Sequence, residues 1–205
     1  MDRKERLKAW FDRHPVNQDS IGTHSVEREG FKKLLHEISI KQGMGLDVAC
    51  GTGAYTFLLA GEGLKVTAVD MSFASLEKLR CDPLYNPKTV KAFLIADATS
   101  LPFGDAEFTI VSCIGMLEYY PLEEKQAFIS EMVRVLSKGG WLVFDIPLAD
   151  HPKTIEFTKM EQGVGNSVFP ESEAVVVTLL MKLGCACVKV QRTGFEQQFL
   201  FQKIR

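Results

Sequence analysis

The sequence predicts an α/β fold: an open, mostly parallel sheet with helices on both faces and an antiparallel hairpin at one edge. Three observations predict it. Short apolar runs alternate with helical patterns between residues 44 and 146, which is how parallel strands and their crossover helices read. Glycines at 51 and 53 stand where the first apolar run passes into the first of those helices. The last two runs are joined by Thr193-Gly194-Phe195-Glu196 and alternate apolar with polar, as hairpin strands do.

The chain opens with Leu7, Trp10 and Phe11 at helical spacing over residues 2–13. A polar stretch over 15–20 breaks that helix. Ser25 caps a second one, whose stripe is Phe31, Leu34, Leu35 and Ile38, and Gly43 and Gly45 end it. These first 42 residues form a helical cover over a single domain spanning residues 1–205. Strands follow at 44–49, 65–70, 90–96, 108–114 and 141–146, with helices at 54–60, 72–80 and 121–136. Pro121 takes the first turn of its helix, where its missing N–H costs nothing. Lys138-Gly139-Gly140 ends that helix. Residues 151–168 are polar and without clear periodicity, 171–183 are helical, and 186–192 and 197–204 are the hairpin strands, which brings the count to seven.

Composition excludes several classes. At 205 residues, 46% hydrophobic and 24% charged, the chain suits one soluble globular domain with a full core. A net charge of -2 without a basic block does not point to nucleic acid. No apolar run reaches membrane-spanning length, and the charged N-terminus does not read as a secretory signal. The five cysteines are odd in number and scattered through apolar runs, so they read as reduced core thiols in a reducing compartment, most simply the cytoplasm. No metal site is expected.

Ligands of an open parallel sheet bind beyond the carboxyl ends of the strands, where strand order reverses. Those ends carry Asp47 to Gly53, then Asp70, Asp97-Ala98 and Cys113-Ile114-Gly115. A carboxylate after the second strand can accept both hydroxyls of a ribose, and one after the third can accept an exocyclic amine. Together they describe an adenosine site. The dinucleotide fingerprint G-x-G-x-x-G fits poorly, because Thr56 fills its third small position. Asp47 would also repel a pyrophosphate, so the ligand should carry a cation near this turn.

Leu46-Asp47-Val48-Ala49-Cys50-Gly51-Thr52-Gly53 resembles the first motif of the class I S-adenosylmethionine-dependent methyltransferases. Val69-Asp70-Met71-Ser72 resembles their acidic loop, and Ala96-Asp97-Ala98 with Leu101-Pro102-Phe103 their third-strand motif. Phe108-Thr109-Ile110-Val111 and Leu136-Ser137-Lys138-Gly139-Gly140-Trp141-Leu142 match the fourth and fifth strand regions. The resemblance implies a Rossmann-like, seven-stranded, mostly parallel sheet. It implies S-adenosyl-L-methionine as cofactor, S-adenosyl-L-homocysteine as product, and methyl transfer to O, N or C of a small molecule by in-line displacement. On it, Asp47 holds the methionine amino group or caps the glycine loop, Asp70 takes the ribose, and Asp97 takes the adenine amine. Ala98 offers an N–H to the ring, and Met71 packs on adenine or in the core. Ala49, Cys50, Gly51 and Gly53 form the turn, Cys113 and Ile114 line the methionine arm, and Tyr55 touches the carboxylate end or packs. Ala49 stands where the family often has glycine, and its methyl is accommodated if φ is negative.

The acceptor side is less defined. Glu118 and Tyr119, after the fourth strand, are candidates to orient or deprotonate an acceptor, and the plain alternative is that they begin the next helix. His24, Tyr120 and His151 fall in regions that shape acceptor pockets in this family, though a surface histidine is the simpler reading of both imidazoles. Glu118-Tyr119-Tyr120-Pro121 and residues 192–201 are similar to parts of porphyrin O-methyltransferases, and the core is shared with ubiquinone and menaquinone C-methyltransferases. A cofactor-binding protein without catalysis is the competing class. A nucleotide-dependent oxidoreductase is disfavoured by Thr56 and Asp47. A monomer or homodimer with a small-molecule acceptor is the expected assembly.

Overall fold

The computed structural model of the protein describes residues 2–15, 24–38, 40 and 42–205. The polar break expected over 15–20 falls outside them from residue 16 onward, as does the side chain of His24. Two helices come first, α1 (Arg3–Arg13) and α2 (His24–Ile38). They lead into β1 (Met44–Val48), α3 (Ala54–Gly61), β2 (Lys65–Asp70), α4 (Phe73–Cys81) and β3 (Val90–Ile95). The second half runs β4 (Phe108–Cys113), a 3₁₀ turn at Leu117–Tyr119, α5 (Leu122–Val135), β5 (Leu136–Pro147), α6 (Pro152–Gly163), α7 (Glu173–Lys182), β6 (Cys185–Thr193) and β7 (Glu196–Lys203).

One seven-stranded sheet carries the fold, in the order β3-β2-β1-β4-β5-β7-β6. The five strands from β3 to β5 in that order are parallel, and β7 is antiparallel to both β5 and β6. The chain lays β1, β2 and β3 in one direction across the sheet and β4 and β5 in the other. The switch point therefore lies between β1 and β4, where Asp47 is opposite Ser112. Side chains alternate across the strands. Leu46, Val48, Phe144, Phe199 and Phe201 pack under α5 and α7. Val66, Ile110, Val143 and Leu200 face α2 and α3. Each wholly buried leucine or phenylalanine among them contributes about 1.5–3 kcal/mol by leaving water. Among the described residues no helix is long and apolar enough to cross a membrane.

Several boundaries differ from the sequence reading, each for a local reason. α1 starts with a reciprocal cap, in which Asp2 accepts from the Glu5 N–H and Glu5 reaches back to the Asp2 N–H. α2 begins at His24, so Ser25 lies inside it rather than capping it. Pro121 is the residue before α5, with extended ψ of 164°. No loop separates α5 from β5. Lys203 Nζ donates to Val133 O (2.8 Å) and Leu136 O (2.7 Å), which satisfies carbonyls at the helix end and lets a strand start at once. Lys138-Gly139-Gly140 then lies within β5, where the register against β4 slips between Phe108 and Ile110. Gly139 takes φ 77° there.

The largest difference is α6, where no periodicity was visible. His151 caps it by accepting from the Lys153 N–H (3.2 Å), and Pro152 occupies its first turn. Its buried side chains are Thr154 and Glu161, while Ile155 and Met160 are more than half exposed. A helix that buries Thr154 and Glu161 while leaving Ile155 and Met160 largely exposed mixes polar and apolar residues on both faces, so it carries no amphipathic pattern to read.

Candidate active site

The end of β1 sets the geometry of the site. Val48 leads into a turn in which Ala49 has φ 55°, Gly51 53° and Gly53 96°. Gly53 N donates to Cys50 O (3.0 Å) and closes the turn, after which α3 begins at Ala54. A side chain at 53 would meet Leu79 Cγ at 2.8 Å as well as the left-handed backbone, so glycine is required there by both. The condition under which an alanine at 49 is easily accommodated, a negative φ, is not met. Its methyl sits in the left-handed region, at a cost of about 1–2 kcal/mol relative to glycine.

Asp70, at the end of β2, ties this turn to the next element. Its Oδ2 accepts from Gly51 N (2.8 Å) and its Oδ1 from Ser72 N (2.8 Å). Burial pushes its carboxyl up despite these donors. Asp47 lies one layer deeper, with Thr56 Oγ1 donating to its Oδ2 (2.6 Å) and Ser112 Oγ to its Oδ1 (2.7 Å). Burial raises its carboxyl to about 6. Asp47 thereby joins β1 to α3 and to β4 across the switch point.

A cavity of about 640 Å³ opens over these strand ends, in the middle of the range of about 300–1,000 Å³ typical of small-molecule sites. Ala49, Gly51, Thr52, Asp70 and Met71 line one side, with Ala98, Ile114 and Gly115 continuing it. Leu7, Trp10 and Phe11 of α1 lie across it. That helix is tethered at several points. Lys4 Nζ donates to Asp97 Oδ2 (2.5 Å), Ser72 Oγ donates to Asp12 Oδ1 (2.8 Å), and Arg3 pairs with Glu124 and lies over the Phe169 ring.

Of the residues singled out from sequence, Ala49, Gly51, Tyr55, Asp70, Met71, Ala98 and Ile114 lie on the cavity wall, with Glu118, Tyr119 and Tyr120. Others do not. Cys50 and Gly53 shape the turn from behind it, and Cys113 is wholly buried beneath. Burial, with Asp145 and Asp47 nearby, pushes the Cys113 thiol well up, so it stays protonated as an apolar wall. Asp97 spends its carboxylate elsewhere: Oδ2 on Lys4, and Oδ1 on the N–H (2.9 Å) and hydroxyl (2.8 Å) of Thr99. Against the desolvation that pushes it up, those partners hold Asp97 below its usual range. In this arrangement neither Asp47 nor Asp97 presents a carboxylate to the cavity. His151 is committed to capping α6 and is not on the wall.

The far side of the cavity contains more than the sequence disclosed. Glu27, Asp145, Glu161 and Glu196 line the cavity together with Glu118. Asp145 Oδ1 accepts from Gly115 N (2.8 Å), and Glu161 Oε2 from Asn166 Nδ2 (2.8 Å). Among the described residues, Glu27, Glu118 and Glu196 each keep a buried Oε2 with no hydrogen-bond partner, and the buried Tyr55 hydroxyl is likewise unpartnered. Burial first, and then Asp145, hold the Glu118 carboxyl well above the carboxylate range. Burial, with Glu118 and Glu161 nearby, also pushes the Tyr119 phenol well up, so Tyr119 is suited to donate a hydrogen bond and not to take a proton. One signal could have revealed Asp145: like Asp47, it is a lone acid inside an apolar core strand. Glu27 and Glu196 had no such signal, because both sit in stretches that read as polar surface.

A family model described as a methyltransferase domain matches residues 46–144. A ubiquinone biosynthesis O-methyltransferase of Nitrosomonas europaea is 30% identical over 168 residues, covering 68% of this chain and 69% of that one. The chain belongs to the class I S-adenosylmethionine-dependent methyltransferases. The corresponding protein of Thiobacillus denitrificans is 30% identical over 99 residues, 48% of this chain and 42% of that relative, so the chain spans less than half of its length. Magnesium protoporphyrin IX methyltransferase of Synechocystis PCC 6803, crystallised with S-adenosylhomocysteine, has a similar fold. It superposes with a TM-score of 0.79 at 18% identity, over 98% of this chain and 99% of that one. Within this chain, the matched segment holds the glycine turn, Asp70 and Glu118, while Glu27, Asp145, Glu161 and Glu196 lie outside it.

Proposed function

We propose that this chain binds S-adenosylmethionine across the ends of β1, β2 and β4. It transfers the methyl group to a small-molecule acceptor by in-line displacement and releases S-adenosylhomocysteine. One observation carries the reading: the cavity joins a positive-φ glycine turn to the Asp70 carboxylate on one side and to a separate group of polar side chains on the other. The residues fit the cofactor. Gly51 leaves its side of the wall open to close approach, Asp70 has lone pairs left for ribose hydroxyls, and Met71, Ala98 and Ile114 offer apolar contact to the ring and the methionine arm. When bound, the cofactor supplies a methyl group already activated on a sulfonium.

The chain then has to position and to exclude water. Asp47 and Asp97 act as positioning residues, Asp47 by bracing the turn and Asp97 by holding α1 down through Lys4. Trp10 and Phe11 shut the mouth, which removes water from a reaction that dissipates charge. Glu118, with a carboxyl held up by burial, is the group suited to receive a proton from the acceptor, and Tyr119 and Tyr120 shape its pocket. Helix α1, with Glu27 of α2, serves as the cover of the catalytic cavity in an enzyme we place in the cytoplasm.

Calorimetric titration with S-adenosylhomocysteine, S-adenosylmethionine and NAD tests the cofactor reading. Binding of the first two and none of the third is expected. Tight NAD binding with no response to the others overturns it. Transfer of labelled methyl to components of a small-molecule extract tests catalysis, and persistent absence of label despite cofactor binding favours a silent binding protein.

A further inference from the structure

Five acids from five separate elements meet at this cavity: Glu27 of α2, Glu118 of the 3₁₀ turn, Asp145 of β5, Glu161 of α6 and Glu196 of β7. Their relative exposures are 4%, 5%, 3%, 5% and 8%, so each is more than nine-tenths buried. Only Glu118 belongs to the matched family segment at 46–144. Their proximity is mutual. Asp145 and Glu161 act on Glu118, Asp145, Glu118 and Glu27 act on Glu196, and Glu27 acts on Asp145, after the burial that dominates each.

Carboxylates are rarely buried this deeply unless they are paired. Among the described residues, neither lysine nearby pairs them off. Lys153 stands on the wall but is exposed, and it acts on Glu27 together with Arg28. Lys125 approaches Glu118 from α5 but gives its Nζ to Phe169 O and to Glu171 Oε1 (3.0 Å). Among the described residues, three carboxylate oxygens remain unpartnered, on Glu27, Glu118 and Glu196. The fold gains nothing from them, since amides of the same shape would occupy the same space without the mutual repulsion. One sulfonium, and an ammonium beside the cofactor's own carboxylate, call for fewer anions than these. Nor, among the described residues, are three such side chains grouped to hold a metal ion.

We propose that the acceptor is an organic amine, received by Glu118, Glu196 and Asp145 and methylated on its nitrogen, with an apolar body seated against Trp10, Phe11 and Phe157. The inference rests on the methyltransferase reading above. The amine enters as an ammonium ion and passes one proton to a carboxylate of the cluster, which frees the nitrogen lone pair. The N–CH₃ bond forms as the S–CH₃ bond breaks, and sulfur keeps the bonding pair and leaves as a neutral thioether. The methylated ammonium carries the positive charge, facing the carboxylates that remain ionised. Carboxyls held up by burial and by one another accept such a proton more readily than a surface glutamate does.

The test uses the full chain and two separable readouts. Calorimetry with S-adenosylhomocysteine comes first, and a failure to bind strikes the cofactor reading itself. Benzylamine, 2-phenylethylamine and tryptamine are then each compared with the matching alcohol and the matching carboxylate. Binding is read by thermal shift of the S-adenosylhomocysteine complex, and transfer by label and product mass. Selective binding of the amines and label on nitrogen are expected. If no amine outperforms its counterparts in binding, or if label appears on oxygen or carbon, the inference is overturned while the cofactor reading stands. Glu196→Gln should raise the KM for the amine by roughly tenfold, leave S-adenosylhomocysteine affinity unchanged, and raise the melting temperature of the free protein. An unchanged amine KM with a lowered melting temperature would assign Glu196 a purely structural role and remove it from the site.

Discussion

Asp70 and Ala49 lie on the same wall, and their substitutions should act in opposite ways. Asp70 holds the Gly51 and Ser72 N–H groups while facing the cavity. Replacing it with alanine removes an acceptor from two backbone donors and, on the proposed function, from the ribose. Hydrogen bonds to a charged group contribute about 1.5–3 kcal/mol, so affinity for S-adenosylhomocysteine should drop about 10- to 100-fold in calorimetry, with the far-ultraviolet dichroism retained. An unchanged affinity removes Asp70 from the cofactor site. Ala49→Gly relieves a left-handed alanine at φ 55°. The relief of about 1–2 kcal/mol is offset by about 0.4–1 kcal/mol of extra freedom in the unfolded chain. A net gain of about 0.5 kcal/mol is expected in urea unfolding, and a loss would show that the methyl packs better than the backbone suffers. At this scale the strand-end wall of the cavity was legible, because glycines and strand-end acids are local signals. The engagement of Asp97 by Lys4 was not, since the two are brought together only by the docking of α1.

At the scale of elements, what the sequence disclosed depended on whether a segment's apolar face meets the core. The sheet strands and α5 do so, and their bounds were predicted to within about a residue, the start of β5 excepted. α6 buries Thr154 and Glu161, and brings Phe157 and Met160 to the cavity beside Glu161, so its pattern carried no amphipathic signature. The start of β5 at Leu136 was hidden for another reason, because Gly139-Gly140 is an ordinary helix stop and only Lys203 from the far side of the chain makes the direct transition possible. α1 is the element with most bearing on turnover. It lies over the cavity on side chains that are partly exposed, held by Lys4–Asp97 and by the Ser72–Asp12 bond. Such pairs are worth up to about 1 kcal/mol each. Lys4→Ala combined with Asp12→Ala should therefore speed release of S-adenosylhomocysteine about fivefold, as about 1 kcal/mol implies. Stopped-flow fluorescence can follow it, since Trp10 lies on the cavity wall. High salt should move the parent protein the same way. If neither changes the release rate, α1 is not what gates the mouth.

Across the whole molecule, the buried acids should set the pH dependence of stability, and with an unusual sign. Asp47 has a folded value of about 6 against an ordinary 3.8. A group whose folded value is raised stabilises the native state below its unfolded value, and that contribution disappears as pH rises through the folded one. For Asp47, 1% exposed, the difference corresponds to about 3 kcal/mol, present below pH about 4 and lost above pH about 6. Asp70, Glu27, Glu118, Asp145 and Glu196 are displaced in the same direction, burial leading in each case. Asp12 and Asp97 oppose them, because their donors outweigh a burial that alone would raise them, and Glu131 opposes them through its bond with Arg134. That opposition applies only near and below the ordinary carboxylate range. Between pH 5 and pH 8 the raised group dominates, so the free protein should lose stability on alkalinisation, where many proteins are flat. Urea midpoints across that interval measure it, and a midpoint that rises toward pH 8 would sink the account. The same ionisation that weakens the empty protein equips the cavity for a cation. A bound amine should therefore restore stability most at the alkaline end, and Glu196→Gln should flatten both the decline and the rescue.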